Sequence, residues 1–193
     1  DNFCELESQK AEAEGRSVYA LFDEIVAATA PGANGLIAYP YLNGSLQPHN
    51  NPNVRGVFFG AGLDSKKEHF LRAIFEGVAF MLRENMELIE EVNRISIGEI
   101  RTLGGGSKSA VWRQIKADVT QKPIAALAES ECASLGVAIL AAVALGYFPS
   151  VEEAAVGANA ETDQASPNPE FAPLYERMYR TYDALYDRLE PLF

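Results

Sequence analysis

Apolar residues recur along this chain at helical spacing in some stretches and in short runs in others, and the two kinds of stretch alternate. Val18, Leu21, Phe22, Ile25 and Val26 share one helical face and predict an amphipathic helix ending near Ala30. Pro31-Gly32-Ala33-Asn34-Gly35 reads as a turn. Leu36 to Leu42 reads as a strand, and Val54 to Gly60 contains Val57-Phe58-Phe59, which predicts a buried one. The loop between them, 43–53, sets His49, Asn50 and Asn51 between Pro48 and Pro52. Loops of this kind carry sites more often than cores do, but a plain connection is the simpler reading of it. Phe70, Leu71, Ile74, Phe75, Val78, Leu82, Met86 and Ile89 form the longest apolar stripe. Asp64 or Ser65 is expected to cap that helix, with Glu68 as capping-box partner of Ser65. Lys67, Arg72, Arg83, Glu84, Glu87, Glu90 and Glu91 fall mostly off the stripe, and His69 takes a structural role at the helix start.

A strand then runs through Ile97, Ile100, Thr102 and Leu103 into Gly104-Gly105-Gly106. Val111, Trp112, Ile115 and Val119 follow on one helical face, which assigns Trp112 to the core, with Arg113, Gln114, Lys116 and Asp118 off it. Ser107 or Ser109 can cap this helix. Another short strand, Pro123 to Leu127, precedes a helix of small residues, Ala133 to Ala142, closed by Gly146 and Pro149. Val151 to Val156 adds one turn. Phe171, Leu174, Tyr175, Met178, Tyr182, Leu185, Tyr186 and Leu189 predict a final amphipathic helix within 171–193. Residues 1–16 read as a polar lead-in and 157–170 as a polar loop. Strands alternating with helices give an α/β domain.

Composition narrows the chemistry. Hydrophobic residues make up 48% of 193, enough for a core, and the formal net charge is -11. Such a balance argues against nucleic acid and anionic membrane surfaces, which attract basic patches. Phosphate ligands are not excluded, because backbone N–H groups can bind them locally. Cys4 and Cys132 match no metal or redox spacing, which fits a reducing cytoplasm. His49 and His69 are the only histidines, so no metal site is expected. The apolar run from Ala133 to Phe148 falls short of the ~20 residues that span a bilayer.

The glycine turn holds the most specific candidate chemistry. Glycine lacks a β-carbon, so a ligand can approach the backbone, and free N–H groups at the following helix start favour a phosphate. Neither Gly-x-x-x-x-Gly-Lys-Ser/Thr nor Gly-x-Gly-x-x-Gly is met: Ser107 separates Gly106 from Lys108, and Ser109 stands where a last glycine belongs. Two readings stay open, a phosphate cradle and a turn that lets strand and helix pack closely.

Three stretches together resemble the FGGY family of carbohydrate kinases, most closely its xylulose kinase branch. They are Tyr39-Pro40-Tyr41-Leu42-Asn43-Gly44 with Pro48-His49-Asn50-Asn51-Pro52; Arg55-Gly56-Val57-Phe58-Phe59-Gly60 continued by 69–80; and Leu103 to Ser109 with Trp112-Arg113-Gln114, Ala117-Asp118, Glu131, Ala133-Ser134-Leu135-Gly136 and Ala138. The match covers roughly residues 17–156. It implies the C-terminal, nucleotide-side half of a two-domain sugar kinase with an actin-like ATPase (RNase H-like) fold and ATP in the cleft between the domains. By that resemblance Gly104, Gly105, Gly106 and Ser109 hold the nucleotide, though the glycerol kinase branch prefers Asn where Ser109 stands. ATP and Mg²⁺ are the implied cofactors, and D-xylulose, converted to D-xylulose 5-phosphate, is the implied substrate. A homodimer is left open. Ala61 stands where the signature wants a larger aliphatic residue, and Ser45-Leu46 where xylulose kinases tend to have Glu-Arg. Ribulose, gluconate, glycerol or another polyol therefore remain alternatives, as does a non-catalytic nucleotide-binding module.

The family's Asp-x-Gly-Thr-type loop and catalytic aspartate belong upstream of the matched region, and no such motif occurs in residues 1–35. Asp64 reads as a cap and Asp118 lies on a helix, so no catalytic residue is assigned. This chain alone is expected to leave sugars unphosphorylated: coupled assays with xylulose, ribulose and glycerol should stay at background, and sugar-dependent turnover would refute its reading as a C-terminal piece.

Overall fold

The computed structural model describes residues 4–127, 132–158 and 161–193. Two helices, α1 (Glu5–Ala13) and α2 (Val18–Ala28), lead into the antiparallel pair β1 (Ile37–Tyr39) and β2 (Val57–Phe59). The long helix α3 (Lys67–Asn93) follows. Then come β3 (Ile100–Thr102), α4 (Ala110–Thr120), β4 (Ile124–Leu127), α5 (Cys132–Ala144), α6 (Val151–Ala158), β5 (Glu161–Ala165) and α7 (Ala172–Leu189). β3 and β4 are parallel and joined through α4, while β5 adds an antiparallel edge to β4. The expected α/β alternation is present.

Two elements occupy segments expected to be irregular. α1 lies in the polar lead-in, where it buries Ala11 and packs on α2. Its Glu7 pairs with Lys67 of α3 at 2.6 Å. It carries no apolar stripe, so periodicity could not reveal it. β5 occupies the predicted polar loop with the sequence Glu-Thr-Asp-Gln-Ala. An edge strand can be polar because solvent bathes one side of it, and β4 supplies the pairing that its own sequence does not advertise.

β1 is wholly buried, whereas Phe58 and Phe59 of β2 are each 46% exposed. The expected buried strand is therefore the outer member of a two-stranded pair. Lys66, not Asp64 or Ser65, sits at the N-cap of α3, and its N–H donates to Nδ1 of His69 at 3.1 Å. That is the structural role anticipated for His69. Ser65 Oγ instead accepts from the Gly62 N–H, and Asp64 accepts from Asn34. α5 and α6 pack chiefly on each other, leaving Val137, Leu140 and Leu145 exposed.

α3 is the spine of the main core. On one side it meets β1 so closely that a β-carbon at Gly77 would collide with the Ala38 carbonyl oxygen. On the other it meets α7, whose Tyr175, Tyr179 and Tyr182 surround Phe80. Tyr39 of β1 stacks on Tyr182 with ring centroids 4.4 Å apart. Burial pushes the Tyr41 phenol up to about 12, and its hydroxyl lies 3.2 Å from that of Tyr182. His49, from the proline-rich loop, stacks on Tyr186 and places Nε2 2.7 Å from Glu84. Burial, ahead of the opposing pull of His49, raises the Glu84 carboxyl. This loop is thus docked by its histidine.

Arg72, expected off the apolar stripe, is buried along with Glu76. Arg72 Nε donates to Glu76 Oε1 at 2.7 Å, and its Nη1 donates to the carbonyls of Val26 and Thr29 at the end of α2. Glu76 Oε1 also accepts from the Gly32 N–H and the Tyr175 hydroxyl, each at 2.9 Å. Removing one member of a buried pair leaves the other charge uncompensated. Glu76→Ala is therefore expected to destabilise the protein by ~3–5 kcal/mol; urea unfolding measures it, and a loss below about 1 kcal/mol would show that the pair is dispensable.

Candidate functional site

Between the end of β3 and the start of α4 the chain makes one turn of 3₁₀ helix, Gly105–Lys108. Gly104 enters it at φ 79° and ψ -172°, a conformation reserved for glycine. The Ser107 N–H and hydroxyl both donate to the Gly104 carbonyl, at 3.1 and 2.7 Å. The carbonyl of Ser107 accepts from Arg113, which also pairs with Asp163 of β5. Arg113 is therefore buried and braces the turn from behind, although it lies off the apolar face of its helix.

The three glycines serve different ends. Gly105 is free of the left-handed φ, and a β-carbon on it would meet open space. At Gly106 a β-carbon would lie 2.9 Å from the Trp112 ring. Gly104 is required by the backbone, Gly106 by packing, and Gly105 by neither. Of the two candidate caps, Ser109 is the one used: its Oγ accepts the Trp112 N–H at 3.0 Å. The same hydroxyl donates to Oδ1 of Asp23 on α2 at 2.7 Å.

Gly105, Gly106 and Ser109 thus come together on the wall of one cavity of about 660 Å³. Ser17, Tyr19 and Asp23 from the α2 side, Phe75 of α3, Lys108 and Trp112 complete it. That volume lies in the range of small-molecule sites. Trp112, assigned to the core from its helical face, is only half-buried and forms part of this wall. Its Nε1–H donates to the Phe75 carbonyl at 3.2 Å, its ring lies 5.0 Å from that of Phe75, and the Lys116 ammonium covers it at 4.4 Å. Burial lowers the Lys116 pKa. Asp23, Tyr19 and Phe75 were not among the sequence candidates. They lie far from the glycines in sequence, and only the packing of α2 and α3 on α4 brings them there.

Asp118 and Asp64 show no catalytic disposition. Asp118 is buried, and its Oδ1 accepts from Gln114 and from the Asn168 N–H, each at 2.8 Å. A second hollow of about 450 Å³ is bordered by Arg83, Glu87, Glu90, Lys122 and Glu176. These side chains pair among themselves, Arg83 with Glu87 and Glu176, Lys122 with Glu90. Glu131, part of one matched stretch, lies outside the described residues.

A strand, glycine turn and helix face a cavity of this size, and the comparisons with known proteins identify the family. The chain belongs to the FGGY family of carbohydrate kinases: the pattern of that family's C-terminal domain matches residues 2–145. A xylulose kinase of Staphylococcus epidermidis is 37% identical over 175 residues, which cover 89% of this chain and 35% of that protein. A gluconokinase of Bacillus licheniformis is 32% identical over 192 residues, covering 98% of this chain and 37% of its own length. Among solved structures, a xylulose kinase from Rhodospirillum rubrum superposes with a TM-score of 0.82 at 28% identity, over 98% of this chain and 37% of that one. The actin-like fold of these kinases is the fold of this chain, which spans about a third of the relatives it matches.

The different duties of the glycines can be separated by stability. Gly104→Ala forces a side chain into a glycine-only region and should cost ~1–3 kcal/mol, whereas Gly105→Ala should change stability by less than about 0.5 kcal/mol. Equal losses in urea unfolding would contradict the assignment.

Proposed function

We propose that this chain forms the nucleotide-side part of an ATP-dependent sugar kinase, with ketopentose, D-xylulose first, as phosphoryl acceptor. The observation that carries the nucleotide assignment is Gly105, which lines the aromatic-walled cavity and where a β-carbon would meet no neighbour. Backbone N–H groups of the turn and the Lys108 ammonium supply positive ends for the phosphates, while Trp112 and Phe75 offer apolar surface to the nucleoside. Holding the γ-phosphate in line with an acceptor hydroxyl is most of what phosphoryl transfer asks of a protein. The base that takes the sugar proton is assigned to the remainder of the enzyme, because Asp64 and Asp118 are occupied by structural hydrogen bonds. Among the described residues no group of three acidic, Cys or His side chains converges on a cation. Mg²⁺ is assigned to the substrate, entering with ATP.

The xylulose preference rests on the matched stretches and the likeness to xylulose kinases. Gluconate is the second reading, favoured by the gluconokinase that aligns with 98% of the chain; Ser45-Leu46 departs from the xylulose-type pattern without pointing to another sugar. A cytoplasmic setting follows from the use of ATP. Among the described residues no helix is long and apolar enough to cross a membrane.

In the complete enzyme, Gly105→Val should raise the KM for ATP at least about tenfold and leave that for sugar within about twofold, since the side chain would stand in the cavity without straining the turn. Equal changes in both would remove the turn from the nucleotide site. A substrate panel tests the acceptor: a preference above about tenfold in kcat/KM for gluconate over xylulose would replace the first reading by the second. Absence of ATP-dependent transfer to any sugar would overturn both.

A further inference from the structure

We infer that Asp23 is a specificity residue that reads the exocyclic amine of the nucleotide base. The inference rests on the nucleotide reading of the cavity and goes one step further, to how the base is chosen. Asp23 is half-buried on α2 and lines the cavity beside the cap of α4. Its Oδ1 accepts the proton of the Ser109 hydroxyl at 2.7 Å, and that hydroxyl in turn accepts the Trp112 N–H. Among the described residues Asp23 makes no ion pair, and its Oδ2 has no hydrogen-bond partner.

The polar groups of the cavity are consequently sorted. Lys108 and the N–H groups of the turn form a positive end. Asp23 and Ser109 form an end that offers acceptors only, because a carboxylate has no proton to give and the serine proton is committed. The Trp112 indole N–H is also committed, to the Phe75 carbonyl, so it presents only its ring. A phosphate is drawn to the first end and repelled by the second. An aromatic ring laid against Trp112 and Phe75 turns its edge toward Asp23, and an amine on that edge donates to Oδ2. Adenine carries such an amine at position 6. The same purine without it leaves the carboxylate oxygen unmatched in a partly dry pocket, and an unmatched polar group costs more than a missing contact elsewhere. Asp23 also pins α2 to the cap of α4, so one side chain orients both the wall and the base.

Titrations of the protein with ADP and with purine riboside 5′-diphosphate, identical except for the 6-amino group, test the assignment. The Gly105 and Gly106 amides and the Trp112 indole N–H are followed by NMR. ADP is expected to bind at least about tenfold more tightly than the analogue, and in Asp23→Leu and Asp23→Ala, which offer no side-chain acceptor, the two affinities should come within about twofold of each other. 2′-Deoxy-ADP should keep the wild-type affinity for the protein, because the contact is to the base and not to the ribose. Equal affinities for ADP and analogue in the wild type would overturn the Asp23 inference without any variant, and leave the nucleotide site standing. So would a ratio preserved in both variants, or a preference against 2′-deoxy-ADP that vanishes with Asp23. Absence of saturable shifts with any nucleotide would overturn the site itself.

Discussion

One carboxylate oxygen holds three segments of this protein in register. Glu76 Oε1 receives Arg72 from its own helix, Tyr175 from α7 and the backbone N–H at Gly32, just beyond α2. Burial drives the Glu76 carboxyl upward against the pull of Arg72 and its other donors. A lone acid at that depth would be a heavy cost. It is tolerated because its donors arrive from fixed directions, and those directions define how α2 and α7 sit against α3. Arg72 then spends its remaining donors on the carbonyls that end α2. The position of α2 matters to the cavity, since α2 brings Tyr19 and Asp23 to face the glycine turn.

A second brace repeats the logic at the other side of the site. Arg113 on α4 ties the Ser107 carbonyl to Asp163 on β5. The polar edge strand thus contributes the counter-charge of the arginine that braces the turn. Both braces use an arginine, whose fork can serve a carboxylate and a carbonyl together. Between them the wall formed by Gly105, Ser109 and Trp112 stands on supports that themselves lie outside the cavity.

Periodicity disclosed the apolar side of this construction and missed the charged side. The stripes of α2, α3, α4 and α7 were plain in the sequence because each buries one face. Arg72, Arg113 and Asp118 were placed off the apolar stripes by the same logic, since a helical wheel cannot see a partner 40 or more residues away. β5 and α1 were missed because an edge strand and a short polar helix carry no repeat. Trp112 was placed one layer too deep: it shares a face with Ile115 and Val119, but at the first turn of α4 that face already borders the cavity. The glycines and Ser109 were singled out through local chemistry and family resemblance. Asp23 could not be, because its significance lies in a contact across 86 residues.

The close approach at Gly77 gives α3 a fulcrum. The helix has 27 residues, so it extends about 40 Å, and it bears on β1 at a point where no β-carbon fits against the Ala38 carbonyl. Phe75, two residues away, lends its carbonyl to the Trp112 indole and its ring to the cavity wall. Lifting the helix off the strand by the width of a methyl group would swing that carbonyl away and let the tryptophan turn. A residue seated against Ala38 therefore gauges, through Phe75, how the wall of the pocket stands.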